Sequence, residues 1–235
     1  SNGDLVFGSE FTAVLEHPSV SRDVDHEAID SYMSYLCVPA PQTAFKAIRK
    51  LEPGHWRKWQ DGQIETKRYW LPDFSHKIKI SEEEAIEETT RILRESTRLR
   101  MISEVPLGAF LSGGVDSSTV VALMAQESST PVKTFSIGFR EDSFDELKFA
   151  RVAAKHFRTD HHEFIVTPNL FDIIGEIVEH FDEPFADQSS LPTFMLSKMA
   201  REHVTVVLSG DGGDELFAGY DRYVVDQSLN GFASV

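Results

Sequence analysis

A chain of 235 residues with 41% apolar and 11% aromatic content can bury one large core or two small ones, so it reads as globular. Its 38 acidic against 23 basic residues, a formal charge of −15, disfavour a nucleic acid partner, because phosphate contacts are made mainly by Lys and Arg. No apolar run approaches the roughly 18 residues of a membrane span, and the amino-terminal stretch lacks a signal-peptide pattern. The expectation is a cytoplasmic protein acting on small molecules, with neither membrane nor nucleic acid as partner, and compatible with a homodimer.

Taken in chain order, Leu5-Val6-Phe7-Gly8 has the composition of a mid-sheet strand and 10–15 that of a short helix, as though joining a domain already under way. Asp25 is placed to cap a helix in which Ile29, Met33 and Leu36 share a face and which Pro39-Ala40-Pro41 ends. Cys37 falls inside that helix. As the single cysteine it excludes a disulfide framework and a cysteine-based metal site, and a partly buried thiol is expected. Strand patterns over 55–60 and 63–70 flank Asp61-Gly62 and predict an edge hairpin, with Trp56, Trp59 and Trp70 as a cross-strand cluster. Pro72-Asp73 and the polar residues after it mark the linker.

Ser81 and Glu84 form a capping-box signature for a helix to about residue 102, with Ile92, Leu93 and Leu99 as buried positions. From Leu107 strands and helices alternate: a strand to Leu111, helix 117–126, strand 132–139, helix 145–157 capped by Ser143 with Glu146, and strand 163–166. Helices follow from Pro168 to about residue 180 and over 192–202, and then strand 204–208. Such alternation predicts an α/β fold with a doubly wound parallel sheet covered on both faces. His161 and His162, adjacent beside a strand, should point to opposite faces and pack ordinarily instead of sharing a metal.

Two glycine loops carry the chemistry. After the first strand comes Ser112-Gly113-Gly114-Val115-Asp116-Ser117-Ser118, where small residues let main-chain N–H groups approach an anion at the positive end of a helix. No Gly-Lys pair occurs in the chain, which excludes the common G-x-x-x-x-G-K-[ST] phosphate loop. An aspartate near that motif's lysine position requires a divalent cation between carboxylate and phosphates. The last strand runs into Ser209-Gly210-Asp211-Gly212-Gly213-Asp214, again strand, glycine loop and helix. Ligands of open α/β sheets sit beyond the strand carboxyl ends where strand order reverses. If the two strands are neighbours, Asp116 and Asp214 could hold Mg²⁺ on pyrophosphate oxygens, while Ser209, Gly210 and the main chain near Ile137-Gly138 line a nucleoside.

The first loop resembles the pyrophosphate loop of ATP-pyrophosphatase synthetases. The whole chain resembles the glutamine-hydrolysing asparagine synthetases of the bacterial type through 35–50 with its Pro-Ala-Pro-Gln-Thr, Leu51-Glu52-Pro53-Gly54-His55, 112–118, Ser136-Ile137-Gly138-Phe139, Asp182-Glu183-Pro184-Phe185-Ala186-Asp187 and 208–220. The resemblance implies an α/β sheet of the adenine nucleotide alpha hydrolase-like type over 75–235, preceded over 1–74 by a partial α+β glutaminase-type segment. It implies ATP and Mg²⁺ as cofactors and aspartate and glutamine-derived ammonia as substrates. Pyrophosphate would lie on 112–118 and adenosine on Leu111, Ile137, Ser209 and Gly210, with Mg²⁺ on Asp116 and Asp214. Asp211 stands where the family more often has a glutamate thought to assist catalysis. The family's glutaminase uses an amino-terminal cysteine, whereas this chain begins Ser1-Asn2, and the family's synthetase domain continues past Tyr223. The expectation is therefore a fragment spanning the junction of two domains. Two other readings share these loops: a related amide-forming enzyme, such as a β-lactam synthetase or a sugar or peptide amidotransferase, and a binding module that keeps the fold without the chemistry.

Overall fold

The computed structural model describes residues 5–139, 147–166 and 170–232, which form two compact units, Ser1–Lys79 with Pro168–Leu191 and Ile80–Thr167 with Pro192–Val235. In the first unit, helix α1 (Phe11–Leu15) forms as expected, but the strand expected over Leu5-Val6-Phe7-Gly8 does not. These residues find no partner strand among the described residues to take up their backbone groups, and Phe7 is 85% exposed. Helix α2 (His26–Tyr35) is capped by Asp25, whose carboxylate accepts from the N–H groups of Glu27 and Ala28. It closes at Leu36, which takes a left-handed conformation and donates its N–H to the Tyr32 carbonyl. Closure before Pro39 leaves Cys37 outside the helix and exposed, not partly buried within it. Of the expected face, Ile29 is half-buried and Met33 and Leu36 are exposed; the buried position is Ala28.

Strands β1 (His55–Gln60) and β2 (Gln63–Arg68) pair antiparallel in the predicted hairpin, and Asp61 (φ 50°) and Gly62 (φ 76°) supply the two positive-φ residues of a type I′ turn. The expected tryptophan cluster does not form. Trp56 lies opposite Lys67 and Trp59 opposite Ile64, and residues three apart on a strand face opposite sides, while Trp70 lies beyond the end of β2.

The second unit opens with α3 (Glu82–Arg100), whose capping box is complete: Glu84 N–H donates to Ser81 Oγ, and Ser81 N–H donates to Glu84 Oε2. Its inner stripe is Ala85, Thr89, Leu93 and Thr97, whereas Ile92 and Leu99, expected inside, are 51% and 52% exposed. This i, i+4 ladder lies on the side of α3 that meets α4 (Val115–Glu127), where Arg94 donates to Gln126 Oε1 at 2.8 Å. The sheet is parallel with order β5-β4-β3-β6, comprising β3 (Leu107–Phe110), β4 (Lys133–Phe139), β5 (Asp160–Val166) and β6 (Val206–Leu208). The chain steps from β3 through β5 in one direction and returns to the other side of β3, so strand order reverses between β3 and β6.

Side-chain alternation shows both faces covered. Ala109 and Leu111 pack with Val121 and Met124 of α4 and with Ala150 and Ala154 of α5 (Leu147–Phe157). On the other face, Phe110 and Phe135 pack with Leu196 and Ala200 of α7 (Ser190–Ala200) and with Val204. The expected doubly wound architecture is thus present. β5 begins at Asp160, so it includes both histidines, and they diverge as expected. His161 Nδ1 lies 2.9 Å from Thr134 Oγ1, while His162 stacks on Phe135, at 5.3 Å between ring centres, and meets His203 at 4.4 Å with the rings tilted. α6 (Leu170–Phe181) falls in the first unit, and α8 (Gly213–Phe217) and α9 (Asp221–Phe232) follow β6. The cap expected from Ser143 with Glu146 and the helix start expected at Pro168 lie outside the described residues.

Candidate functional site

β3 and β6 are direct neighbours, with Ala109 level with Leu208, so the two glycine loops leave adjacent strands at the same edge of the sheet. The first loop is held from within. Leu111 N–H donates to the Phe135 carbonyl at 2.9 Å, and the hydroxyl of Ser136, a buried residue on β4, donates to the Leu111 carbonyl. The Ser112 hydroxyl accepts from Gly114 N–H at 3.2 Å and lies 3.0 Å from that of Ser117, which itself bonds the Gly114 carbonyl. Gly113 takes φ 84°, and a β-carbon there would lie 2.6 Å from Cβ of Phe149 and closer still to the backbone of Phe149 and Ala150. Only glycine fits between this turn and α5. Gly114 is the N-cap of α4, with no side-chain cap, so the first-turn N–H groups face the loop; Asp116 and Ser117 lie in that turn and Ser118 closes it with a bond to the Gly114 carbonyl.

The second loop lies directly on the first. A β-carbon on Gly210 would lie 2.8 Å from the Ser117 nitrogen and 2.9 Å from Asp116 Cβ. One on Gly213 would lie 2.5 Å from Asp116 Cγ and 2.6 Å from its Oδ2. Asp116 is half-buried at the meeting of the loops. Asp211 is exposed, and its carboxylate accepts from the Ser209 hydroxyl at 2.8 Å, so these two residues brace each other. The Asp214 carboxylate is turned against Gly219, whose N–H donates to the Asp214 carbonyl at 3.0 Å. Nearby, Tyr220 donates to Glu215 Oε1 at 2.8 Å, and that bond raises the phenol above its ordinary pKa.

The structure thus brings together Ser112, Gly113, Gly114, Asp116, Ser117, Ser118 and Gly210, with Ser209 and Asp211 in the adjoining turn and Ile137 and Gly138 at the carboxyl end of neighbouring β4. It separates three expected side chains from that group. Leu111 is 1% exposed in the core and Ile137 packs against the α7 cluster, so neither side chain joins the loops. Asp214 points toward Gly219, and among the described residues no group of three or more His, Cys, Asp or Glu side chains assembles. Two positions had no assigned role in the sequence. Ser136 is a buried hydroxyl in an apolar strand, a legible signal, whereas the approach of Gly213 to Asp116 depends on strand order, which no local pattern reveals.

A family model described as asparagine synthase matches residues 88–233, and one described as glutamine amidotransferase domain matches 1–70. The chain is 35% identical over 236 residues to asparagine synthetase [glutamine-hydrolyzing] 1 of Bacillus subtilis, covering 100% of this chain and 37% of that protein. It is 36% identical over 236 residues to putative asparagine synthetase [glutamine-hydrolyzing] 2 of Methanocaldococcus jannaschii, covering 97% and 44%. Amidase chyE of Penicillium rubens is 31% identical over 206 residues, covering 79% and 30%. The chain therefore spans less than half the length of these relatives. Among solved structures, the NH3-dependent NAD synthetase from Campylobacter jejuni superposes with a TM-score of 0.40 at 16% identity, covering 57% of this chain and 60% of that one.

Proposed function

The chain belongs to the asparagine synthase family, and on that premise we propose that its parent protein makes asparagine from aspartate, with ammonia drawn from glutamine. The reaction has two steps. The side-chain carboxylate of aspartate attacks the α-phosphorus of ATP, forming β-aspartyl-AMP and expelling pyrophosphate. Ammonia then attacks the activated carbonyl carbon, and AMP leaves as a proton is lost.

The observation that carries this reading is the seating of Gly210 and Gly213 on Asp116, which unites two anion-type loops at the switch point of the sheet. First-turn N–H groups of α4 and the hydroxyls of Ser112, Ser117 and Ser118 would bind the pyrophosphate oxygens, worth most where they brace charge that grows as the α-phosphorus bond breaks. The main chain of Leu111, Ile137 and Gly138 and the turn at Ser209-Gly210 would border adenosine. Asp211, braced by Ser209, would orient the reacting groups.

A magnesium ion fits the donor set. Asp116 faces the loops, two aspartates flank the glycine turn, and magnesium typically uses one or two carboxylates and completes its shell with phosphates and water. Asp116 would hold it, and Asp214 would join by turning from Gly219. When bound, it would neutralise phosphate charge. Incubating the full-length parent with ATP, magnesium, glutamine and aspartate is expected to yield asparagine, AMP and pyrophosphate. Turnover of a different carboxylate with no asparagine would select a second reading, amide formation on another acceptor.

A further inference from the structure

β4 outruns one of its two neighbours. Its pairing with β3 ends at Phe135, level with Phe110, whereas its pairing with β5 continues to Phe139, level with Val166. Backbone groups of successive strand residues point to opposite margins, and the bonds at each margin fix the alternation. Leu111 N–H donates to the Phe135 carbonyl on the β3 side, and Asp160 N–H donates to the Val132 carbonyl on the β5 side, both at 2.9 Å. Odd-numbered residues of β4 therefore present their N–H and C=O groups to β3. The main chain of Ile137 faces the space that β3 vacates where it turns, at Gly113, into the first glycine loop.

The next rung of a parallel ladder would run from Ile137 N–H to the Leu111 carbonyl. Among the described residues that rung is not formed, and the carbonyl instead accepts from the hydroxyl of Ser136. Ser136 is 3% exposed, and a hydroxyl at that depth is costly unless it finds a partner. Alanine would fill the position without that demand, so the serine is accounted for by the bond it makes. Thr134, the other buried hydroxyl of β4, is engaged elsewhere, with Thr159 Oγ1 at 2.8 Å and His161 Nδ1 at 2.9 Å. Beyond Ser136, a β-carbon on Gly138 would collide with Leu147, so α5 presses on β4 beside Ile137 and holds that end of the strand in place.

We propose that Ser136 is a positioning residue of the nucleotide site. By occupying the Leu111 carbonyl it stops the β3–β4 ladder one rung short, which keeps the Ile137 N–H at the loop edge as a donor for a ring nitrogen of a purine base. The base thus completes a rung that the protein leaves open. The role rests on the proposed function, because it presupposes a nucleotide at this edge; the early end of the ladder does not.

The test uses the full-length parent carrying Ser136→Ala or Ser136→Thr. Alanine releases the Leu111 carbonyl, and the Ile137 N–H is expected to move onto it. KM for ATP should then rise about 10-fold, while KM for aspartate and the rate of glutamine hydrolysis stay within about 2-fold. Threonine keeps the hydroxyl and suits a strand, so it should hold KM for ATP within about 3-fold of wild type. An unchanged KM for ATP in Ser136→Ala overturns the proposal. So does an equal rise for ATP and aspartate, which would mean a general loosening of the fold, or a threonine variant as impaired as alanine.

If the wild type turns over no ATP, the functional reading fails separately, and amide hydrogen exchange decides the role of Ser136. The Ile137 amide is expected to exchange about 10-fold more slowly in Ser136→Ala than in wild type, because it has joined the ladder, and equal or faster exchange overturns the proposal. Should the alanine variant not fold, the wild type answers alone. Its Ile137 amide is expected to exchange about 10-fold faster than that of Phe135, which lies within the ladder, and equal protection of the two overturns the proposal.

Discussion

A β-carbon placed on Gly213 would stand 2.6 Å from Oδ2 of Asp116, although one residue follows β6 and the other follows β3. The atom in the way is the end of a movable side chain, so Gly213→Ala leaves the fold room to survive by swinging the carboxylate aside. Thermal unfolding of the variant is expected to shift by no more than about 1 kcal/mol, while ATP-to-pyrophosphate turnover falls at least about 10-fold. Turnover at the wild-type rate would show that the position of Asp116 is irrelevant to the reaction.

Asp116→Asn separates charge from shape. Gly114 is the N-cap of α4 and Asp116 lies one turn-step inside it, so the substitution removes no cap and loses only a favourable dipole interaction of about 0.5 kcal/mol. Synthetic turnover is expected to drop by ~100-fold or more, about 3 kcal/mol of transition-state stabilisation, with glutamine hydrolysis retained. Near-normal pyrophosphate release with unchanged magnesium dependence would mean that the carboxylate serves only the helix dipole.

Gly113→Ala is expected to act through stability. Its φ of 84° and the backbone of Phe149 and Ala150 leave a methyl group nowhere to go, and main chain cannot rotate aside as the Asp116 carboxylate can. A loss of about 3 kcal/mol is expected in chemical denaturation of the folded protein. A change below about 0.5 kcal/mol would contradict this packing of the loop on α5.

The histidine face of β5 sets an acid limit. Burial depresses His161, whose neighbours are Thr134, Glu163, His162 and Arg151; in the fold it therefore stays neutral below the pH at which the unfolded chain begins to take up a proton. Stability from this group is present at neutral pH and falls as pH drops through about 6.5. Glu163 is held below the usual carboxylate range by its two hydrogen bonds from Arg151, at 2.8 and 2.7 Å, and its contribution is lost at lower pH, below about 4.5. Arg151 is half exposed, so solvent screening keeps the Glu163 contribution to about 1 kcal/mol or less. Denaturation followed from pH 7 to 5 is expected to show the first loss, and His161→Gln should flatten it while leaving the loss below 4.5 in place.

Residue order along the chain determined the parts of this protein that depend on neighbours within a few positions. The capping box at Ser81 and Glu84, the Asp61-Gly62 turn, the divergence of His161 and His162 and both glycine loops follow from local hydrogen-bond chemistry and from periods of two and 3.6. The alternation from Leu107 onward was likewise enough for a parallel sheet covered on both faces. Tertiary structure decided what periodicity leaves degenerate. Ile92 and Leu99 of α3 are apolar yet outside, because the stripe through Ala85, Thr89, Leu93 and Thr97 turns inward, with Leu93 alone of the three expected apolar positions on it; Trp56 and Trp59 are separated by the pleat of their own strand. Strand order alone set Gly213 on Asp116, and residues 170–191 cluster with the first unit, where Asp182 and Glu183 meet Thr12, Ala44 and Lys50. Those outcomes depend on which distant surfaces bury each other and on where carboxylates find donors, and such long-range pairings leave no period in the sequence.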